Sequence, residues 1–408
     1  MEPKIRFKGY SGDWKNDVIG NIATFSKGRG YSKGDLKSVG NPIILYGRLY
    51  TNYSSIINNV DTFASLKKGS VLSKGKEVII PGSGETPEDI AIASAVEQKD
   101  VILGGDLNVI TFDEKKIIPP FAAMCITNSK THYELSGYAQ GKTVVHLHNS
   151  GISKGHLSYP SKDEQQAIVL YLSSLDKLIK STSKKVESLK KLKSASLVAM
   201  FPQQGETTPK VRFKGFEGEW KTPSIGYVFE LRNGYTPSKI VKEFWEGGTI
   251  PWFRMEDIRM NGGFLKDALQ HITPWAVKGA GLFEKNSIIL ATTATIGVHA
   301  MLIADSQANQ RFTNFKVRKS LSDEYIDEFI YYSFFKIDEW SKNNTNSGGL
   351  LSVNMPLLVK QSFLTPCKEE QQAIATFFRS LDRKIALETA RLEKLKQIKL
   401  ACLDKMFV

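Results

Sequence analysis

The sequence is poor in cysteine and contains no long apolar run. Its three cysteines, Cys125, Cys367 and Cys402, are odd in number and form no CxxC pair. This pattern argues against a disulfide scaffold or a zinc site and favours a reducing compartment. No stretch approaches the ~18 uninterrupted apolar residues of a membrane span, and the N-terminus lacks the apolar segment of a signal peptide. We therefore expect a cytoplasmic protein without membrane segments.

Catalytic motifs are also lacking. The segment from Gly137 to Thr143 looks like a phosphate-binding loop, but only three residues separate its glycines where four are needed. His146 and His148 offer two imidazoles without a third ligand nearby, which favours a structural or loop pair over a metal site. No Asn/Asp-Pro-Pro-aromatic motif for amino-group methylation is present, nor a glycine-rich AdoMet loop after a strand. We expect neither a catalytic residue nor a metal site in this chain.

What the chain does have is positive charge. It carries 55 Lys and Arg against 42 Asp and Glu, a formal net charge of +13. Such an excess predicts a polyanionic partner, either nucleic acid or an anionic membrane surface. The alternative is a basic surface that binds nothing. A hydrophobic fraction of 41% is ordinary for globular domains, so the chain can bury a core.

The chain repeats itself at a fixed offset of 206 residues (370 − 164). Glu-Gln-Gln-Ala-Ile starts at residues 164 and 370, Ser-Leu-Asp at 174 and 380, and Met-Phe at 200 and 406. An Arg-Phe-Lys-Gly motif starts at residues 6 and 212 and is followed by Trp14 or Trp220. The regions between these segments hardly resemble each other. The period is too long for a solenoid, so the sequence predicts two similar half-proteins with different middle regions.

Each Glu-Gln-Gln motif opens a predicted long helix, with Ser161 as a candidate N-cap of the first. Apolar residues recur there at spacings of four and three, which is typical of a coiled coil. They are Leu175, Ile179, Val186, Leu189, Leu192 and Met200 in the first helix, and Leu381, Ile385, Leu392, Leu395, Ile398 and Met406 in the second. The stripe is interrupted at Thr182, Lys193, Glu388 and Lys399. The alternatives are an ordinary amphipathic helix on its own domain, and a break near Ser174 and Ser380.

The remaining regions predict an α+β fold. Short β-branched runs bounded by glycine are expected as strands at residues 70–73, 78–80, 108–112, 287–292 and 312–317. A helix is expected from Ser322 to Phe335, with its aromatic residues in the core, and the polar segment 202–209 marks a domain boundary. The predicted domains are 1–160 and 204–366, and the predicted helical segments are 161–203 and 367–408.

The variable regions carry the residue types that read bases in DNA. Arg and Lys recognise guanine, Asn and Gln recognise adenine, and hydroxyl and aromatic groups supplement them. In the first half the candidates are Lys27, Arg29, Lys33, Arg48, Tyr50, Gln140, Lys142, Thr143, His146 and Asn149. In the second half they are Tyr235, Thr236, Lys239, Trp252, Arg254, Arg259, Thr292, Thr293, Asn309, Gln310, Arg311, Asn343, Asn344 and Asn346. Each alone is equally consistent with plain surface; as a set on a basic chain they favour DNA contact.

The order of the repeated motifs resembles the specificity (S) subunit of type I restriction–modification systems, over essentially the whole chain. The resemblance implies two target-recognition domains joined by two repeated helices, which pack as an antiparallel coiled coil with pseudo-twofold symmetry. At ~1.5 Å per residue such a helix is about 60 Å long, enough to act as a spacer between two DNA readers. The Asn309-Gln310 pair has Gly104 to Asp106 at the comparable offset of the first half.

The resemblance also implies partners. These are double-stranded DNA, two modification subunits that carry AdoMet and methylate adenine, and two restriction subunits that use ATP and Mg, while this chain holds no cofactor. The helical motif residues expected to contact the partners are Gln165, Gln166, Asp176, Gln371, Gln372 and Asp382. Two other functions stay open: a self-contained restriction or modification enzyme with degenerate motifs, and a stand-alone bipartite DNA-binding regulator.

Overall fold

The chain forms two compact units, the first made from two separate stretches of sequence and the second from one continuous stretch. The computed structural model describes residues 2–279, 281–346 and 351–408. Unit 1 comprises Met1–Ser183 and Ala390–Val408, and unit 2 comprises Lys184–Thr389. Each long helix therefore begins in one unit and ends in the other. Both units combine helices with sheets, so the predicted α+β class is confirmed.

Unit 1 contains fourteen strands among its described residues, and two five-stranded sheets form its centre. The strands are β1 (Lys15–Val18), β2 (Ala23–Lys27), β3 (Leu36–Lys37), β4 (Asn41–Ile44), β5 (Ile56–Ile57), β6 (Phe63–Ala64), β7 (Leu72–Lys74), β8 (Glu77–Pro81), β9 (Ser83–Gly84), β10 (Ser94–Val96), β11 (Lys99–Leu103), β12 (Leu107–Phe112), β13 (Val145–His146) and β14 (His156–Tyr159). One sheet has the order β2-β12-β8-β10-β5 and the other β3-β6-β4-β11-β7, and β1 pairs with β14. The apolar runs of β8 and β12 are almost wholly buried, as expected for central strands.

Unit 1 also contains helices. They are α1 (Ile19–Ile22), α2 (Arg48–Thr51), α3 (Pro87–Ile90), α4 (Pro119–Asn128), α5 (Lys130–Gly137), α6 (Asn149–Ile152) and the first part of α7 (Lys162–Met200). The sequence did not predict α4 and α5, because α4 is apolar nearly all round and lacks an amphipathic period. Phe121 of α4 and Leu172 of α7 lie in one core together with Trp14.

Unit 2 is built on the same plan with fewer strands. They are β15 (Phe229–Asn233), β16 (Ile250–Phe253), β17 (Phe264–Leu265), β18 (His271–Ile272), β19 (Ile288–Ala291), β20 (His299–Leu302), β21 (Gln307–Ala308), β22 (Phe312–Val317), β23 (Thr345–Asn346) and β24 (Ser352–Val353). The helices are α8 (Ile225–Val228), α9 (Met255–Asn261), α10 (Asp327–Asn343), α11 (Met355–Leu358) and the first part of α12 (Lys368–Lys405). The main sheet has the order β15-β22-β19-β20-β17.

The aromatic helix of unit 2 starts later than predicted. It begins at Asp327, and the residues around Ser322 form a 3-10 turn in which the Ser322 hydroxyl donates to the Lys319 carbonyl at 2.9 Å. The predicted start of this helix at Ser322 was therefore wrong. Phe329 and Phe334 are fully buried, which confirms that the aromatic stripe belongs to the core.

Both long helices are continuous. Helix α7 has 39 residues and α12 has 38. Ser161 caps α7, accepting from the Glu164 amide at 3.4 Å. Ser174 does not start a second helix, because its hydroxyl donates to the Leu170 carbonyl one turn earlier, at 2.7 Å. The possible break at this motif is absent, and the motif continues the helix.

The two helices run antiparallel wherever they meet inside a unit. In unit 1, Lys399 of α12 donates to Asp176 of α7. In unit 2, Lys193 of α7 lies 2.6 Å from Asp382 of α12. These are the same pair on the 206-residue offset, joining the Asp of each Ser-Leu-Asp motif to the lysine that interrupts the opposite apolar stripe. The predicted antiparallel coiled coil is confirmed, and three of its four interruptions, Lys193, Glu388 and Lys399, are ion-pair positions.

The apolar stripe itself is narrower than predicted. Leu175, Val186, Leu381 and Leu392 are buried, whereas Leu192 is 50% exposed. Spacings of three and four from Val186 reach Leu189 and then Lys193, so Leu192 lies one residue away from the contact seam. Leu192 is therefore a surface residue.

The Met-Phe motif at the end of each helix anchors that end in a core. Phe407 at the end of α12 packs on Phe121 of unit 1, with ring centroids 5.9 Å apart. Phe201 at the end of α7 packs on Trp220 and Phe329 of unit 2, at 5.8 and 5.7 Å. Aromatic pairs at such distances add to the burial of their area. Each unit thus completes its core with the last residues of the helix that begins in the other.

The Arg-Phe-Lys-Gly motif fixes the start of each helix. Arg6 binds the carboxylate of Glu164 through two hydrogen bonds of 2.8 Å, and it also donates to the Gly12 carbonyl at 2.6 Å. Arg212 binds Glu370 in the same way at 2.7 and 2.6 Å. Both glutamates are 1% exposed. Bidentate pairing compensates the burial of a carboxylate, which explains why the two motifs recur together.

The first glutamine of each Glu-Gln-Gln motif is buried as well. Gln165 accepts from the Ile118 amide at 2.9 Å and donates to the carbonyls of Lys116 and Pro160. Gln371 makes the equivalent contacts in unit 2, accepting from Ile326 at 3.0 Å. These side chains tie a helix to the loop before α4 or α10. Gln165 and Gln371 therefore have a structural role, and their buried side chains are not available for the partner contact expected from the sequence.

Within the described residues, none of the helices combines the length and the hydropathy needed to cross a lipid bilayer.

The buried ion pair predicts a symmetrical effect on stability. Replacing Arg6 by Ala leaves the Glu164 carboxylate buried without its guanidinium, and this should lower the free energy of unfolding by about 3 kcal/mol. Arg212→Ala should act equally through Glu370. Urea denaturation of the full chain measures both. Arg379→Ala is the control, since its pair with Glu328 is exposed and worth ~0–1 kcal/mol. Equal effects of all three variants would contradict the assignment.

The glutamine pair allows a test with an adjacent control. Gln371→Leu leaves the Ile326 amide without its acceptor, which should cost about 1–3 kcal/mol of stability. Gln372→Leu changes an exposed side chain on the same helix turn and should alter stability by no more than ~0.5 kcal/mol. Thermal unfolding compares the two variants. If Gln372→Leu proved the more destabilising, the structural role of Gln371 would be refuted.

Candidate nucleic-acid interface

In each unit, three strands of the main sheet end at a common edge. In unit 1 the edge lies where Lys27 of β2 faces Asn108 of β12 and Leu107 faces Pro81 of β8. In unit 2 it lies where Asn233 faces Thr313 and Phe312 faces Ala291. We call the first the unit 1 edge, which comprises residues 27–29, 82–83, 104–106 and 140–146. We call the second the unit 2 edge, which comprises residues 233–235, 292–293, 309–311, 346 and 351–352.

The two edges share one backbone hydrogen-bond pattern. The Gly28 amide donates to Leu107 at 2.9 Å, and the Gly234 amide donates to Phe312 at 2.8 Å. One residue later, Arg29 donates to Leu103 at 3.0 Å and Tyr235 to Ala308 at 2.9 Å. Both patterns enclose a three-residue turn, 104–106 in unit 1 and 309–311 in unit 2. The two turns are structurally equivalent.

Glycine is required beside each turn for space. A β-carbon on Gly28 would collide with the carbonyl of Gly104, and one on Gly234 would collide with those of Ala308 and Asn309. Close backbone approach of this kind is a usual reason for glycine at a strand end. The turn is therefore set by backbone contacts, and its own side chains are free to differ.

The pattern extends to a second loop. Gly82 donates to Asp106 at 2.7 Å and accepts from Leu147 at 3.1 Å. Thr292 donates to Arg311 at 2.9 Å and accepts from Val353, also at 2.9 Å. Beyond these, Gln140 pairs with His146 in unit 1, and Asn346 pairs with Ser352 in unit 2. Gln140 and Asn346 are 206 residues apart, and so are His146 and Ser352. The two edges therefore correspond residue for residue here.

Different side chains occupy this common backbone. The equivalent positions, unit 1 first, are Arg29 and Tyr235, Ser83 and Thr293, Gly105 and Gln310, Asp106 and Arg311, Gln140 and Asn346, and His146 and Ser352. Eight of these twelve residues were candidates from the sequence. The structure brings them together at one edge in each unit.

Side-chain contacts order part of the unit 1 edge. The Tyr50 hydroxyl donates to the Ser83 carbonyl at 2.8 Å, and the Ser83 hydroxyl lies 2.9 Å from Nδ1 of His146. Burial raises the pKa of Tyr50, so its hydroxyl stays a donor. Asn149 donates to the Ser26 carbonyl at 2.9 Å, beside Lys27. These contacts place an aromatic and an imidazole group next to the turn.

Of the other unit 1 candidates, Arg48 and Lys33 lie outside the unit 1 edge, whereas Lys27, Lys142 and Thr143 are exposed residues of it. Arg48 donates to Asp61 at 2.6 Å and to the Asn59 carbonyl at 3.3 Å. Its guanidinium lowers the pKa of the Asp61 carboxyl, so Arg48 is held in a local ion pair. Lys33 lies in a 3-10 turn, and the side chains of Lys27, Lys33, Lys142 and Thr143 are exposed.

In unit 2, two predicted readers are part of the core. Trp252 is 2% exposed and donates its indole N–H to the Tyr235 carbonyl at 2.9 Å. Thr292 is 7% exposed and its hydroxyl lies 2.9 Å from that of Thr313. Both side chains support the unit 2 edge from within the core. They therefore have a structural role and are not available for the base contact expected from the sequence.

The remaining unit 2 candidates are surface residues. Thr236 donates to the Gln310 side chain at the edge, while the Tyr235 hydroxyl donates to the Ala276 carbonyl. Arg254 precedes α9, with its amide donating to Asp257 at 2.7 Å. Asn344 donates to the Trp340 carbonyl at 2.8 Å, at the end of α10. Lys239, Arg259, Arg311, Asn343 and Asn346 are exposed.

Asp106, Ser83 and Ser352 are edge residues that sequence reasoning missed. The turn precedes β12 at residue 107 and β22 at residue 312, an offset of 205 rather than 206 (312 − 107). A one-residue difference in loop length therefore hides the equivalence of Asp106 and Arg311. The signal that could have found it is the position of each turn directly before a strand.

No group of three or more His, Cys, Asp or Glu side chains suited to a metal ion occurs within residues 2–279, 281–346 and 351–408.

Comparison with known proteins gives a family for both halves. The family model described as type I restriction modification DNA specificity domain matches residues 11–191 and again 217–397. The chain is 46% identical over 158 residues to the Escherichia coli type I restriction enzyme EcoprrI specificity subunit, covering 39% of each protein. It is 29% identical over 195 residues to the MjaIX specificity subunit of Methanocaldococcus jannaschii, covering 47% of this chain and 44% of that protein. The chain thus spans less than half the length of these curated relatives.

Solved structures give the fold over the full length. The S subunit of a type I restriction–modification system from M. genitalium aligns with 100% of this chain and 99% of its own, at 15% identity and a TM-score of 0.59. The HsdS subunit from Thermoanaerobacter tengcongensis aligns with 98% of both chains, at 16% identity and a TM-score of 0.52. Identities this low show a common fold and no more. Because the family model matches most of the chain in two copies, the chain belongs to the type I restriction modification DNA specificity domain family.

Proposed function

We propose that the chain is the DNA-specificity subunit of a type I restriction–modification complex and reads an asymmetric, bipartite DNA target. One observation carries the proposal. The two edges share a backbone pattern and carry different polar side chains, in a chain whose halves both match a DNA specificity domain. A common scaffold with different side chains is what reading two different half-sequences requires, since bases are distinguished by side-chain donors and acceptors.

The charge of the chain supports a DNA ligand. With a net charge of +13, the chain has lysine and arginine to spare for phosphates, which supply most of the affinity but no sequence information. Exposed cations lie at or next to both edges, among them Lys27, Arg29 and Arg311. The edge amides and hydroxyls then supply the discrimination.

The proposal assigns catalysis to other subunits. Modification subunits would carry AdoMet and methylate adenine, and restriction subunits would use ATP and Mg for translocation and cleavage. The exposed helix residues Gln166 and Gln372 remain candidates for contact with these partners. Asp176 and Asp382 are part of the helix pairing, so their contribution to such a surface is indirect.

The function is tested by comparing the isolated chain with the complex. The purified full chain should neither methylate DNA with AdoMet nor cut it with a divalent metal, and the complex with its modification subunits should methylate one bipartite sequence. Mapping methylated adenines in a genome that expresses the complex reveals that sequence. Methylation or cleavage by the chain alone would favour a self-contained enzyme. Specific binding without any modification partner would favour a regulator.

The equivalent amides give a matched pair of variants. Gln140→Ala should relax base preference in one half of the target, and Asn346→Ala in the other, by about 1–3 kcal/mol at one or two base pairs. Methylation mapping with each variant complex measures the change. Lys177→Ala, an exposed residue on α7, is the control and should leave both halves unchanged. Changes in the same half for both amides would contradict the assignment of one half-site to each unit.

A further inference from the structure

Two residues of opposite charge occupy the same place in the two edges. Asp106 is the third residue of the unit 1 turn and directly precedes β12, and Arg311 is the third residue of the unit 2 turn and directly precedes β22. Their carbonyls accept from equivalent amides, those of Gly82 and Thr292. Both side chains are exposed. The flanking backbone hydrogen bonds are the same, although Asp106 has a positive φ and Arg311 does not, so the two residues correspond in position and differ in local conformation and in charge.

The Asp106 carboxylate is held over Gly82. A β-carbon on Gly82 would lie 2.5 Å from Oδ1 of Asp106, a distance that no pair of such atoms adopts. Gly82 has no positive φ, so glycine is needed there for space and not for conformation. Unit 2 has Thr292, with its own β-carbon, at the equivalent position and Arg311 in place of Asp106. The pair Gly82 and Asp106 of unit 1 thus corresponds to the pair Thr292 and Arg311 of unit 2.

Neither charge is neutralised by the protein. Across the described residues, no hydrogen bond or ion pair engages the side chain of Asp106 or of Arg311. By contrast, the exposed loop residue Asp61 of unit 1 is paired with Arg48. The Asp106 carboxylate thus lies beside Gly82 with its acceptor oxygens unused among the described residues.

A free carboxylate at a DNA-facing edge has a narrow choice of ligands. It is repelled by phosphates and accepts hydrogen bonds but donates none. The base atoms that donate in the major groove are the exocyclic amino groups, N4 of cytosine and N6 of adenine. A guanidinium has the opposite requirement and matches the O6 and N7 acceptors of guanine bidentately.

We propose, on the basis of the proposed function, that Asp106 and Arg311 are specificity-determining residues of opposite sign. Asp106 accepts from the exocyclic amino group of one base in the half-site of unit 1. Arg311 donates to O6 and N7 of one guanine in the half-site of unit 2. The same turn thus selects a donor in one half of the target and an acceptor in the other.

A structural role for Asp106 makes a different prediction. Its φ is 61°, in the left-handed region that aspartate, asparagine and glycine tolerate better than other residues. If the residue served only this turn, Asp106→Asn and Asp106→Gly would leave base selection intact. Both variants keep the turn, so they separate conformation from recognition. Asp100→Asn is a matched control, because Asp100 is also exposed and left-handed (φ 59°) but lies in β11, near the end away from the turn.

The test uses the full chain reconstituted with its modification subunits. The target of the native complex is mapped from methylated adenines, and binding is then measured to duplexes in which each base pair of that target is replaced in turn. Asp106→Gly should lose about 10- to 100-fold of discrimination at one base pair of one half. Arg311→Ala should lose a similar factor at one G·C pair of the other half. Asp100→Asn should retain the native profile.

The second Asp106 variant identifies the base. Asparagine pairs bidentately with adenine, so Asp106→Asn should shift selection toward adenine where the native base is cytosine, and should keep it where the native base is adenine. An unchanged profile for Asp106→Gly overturns the inference, and so does a loss spread evenly over all sequences or confined to the half that Arg311→Ala affects. A native complex without any sequence preference would instead refute the proposed function.

Discussion

The buried glutamate at the start of each long helix is the constraint on which both units depend. Glu164 and Glu370 lie in the first helical turn, where the helix dipole favours negative charge. Each is held there by the bidentate arginine of the Arg-Phe-Lys-Gly motif that precedes it in its own half. The neighbouring glutamines bind the loop before the next core helix. Because the buried carboxylate must stay paired with its arginine, the helix cannot shift along its axis relative to the Arg-Phe-Lys-Gly motif. The clamp therefore fixes where each helix leaves its domain, and the variable region is enclosed between fixed ends.

Enclosed between those ends, the edges vary without disturbing the fold. Their geometry comes from backbone hydrogen bonds, such as Gly28 to Leu107 and Gly234 to Phe312, which need no particular side chain except glycine at the point of closest approach. The side chains of the turn and of the facing loop are then free to differ, and they do so in size, polarity and charge. Under the proposed function, backbone atoms of these residues carry stability and their side chains carry DNA recognition.

The sequence predicted what is periodic and missed what depends on tertiary pairing. The repeat, the two long helices and the central strands follow from spacing and composition, and all are present. Lys193 and Lys399 read as interruptions, because their aspartate partners lie nearly 200 residues or more away along the chain. Trp252 and Thr292 carry suitable groups for base reading, yet they are buried, and burial follows from packing that composition does not reveal. Asp106 escaped notice because a carboxylate is not an expected reader on a basic chain.

The helix ends also explain why the repeat boundary is not a unit boundary. Unit 1 needs Phe407 against Phe121, and unit 2 needs Phe201 against Trp220 and Phe329. A chain cut at the middle of the repeat would give the first half without residues 390–408 and leave the face of Phe121 that packs on Phe407 uncovered. Large apolar side chains exposed in this way lose about 1.5–3 kcal/mol each of burial energy. The two units therefore depend on one intact chain, although their edges are free to diverge independently.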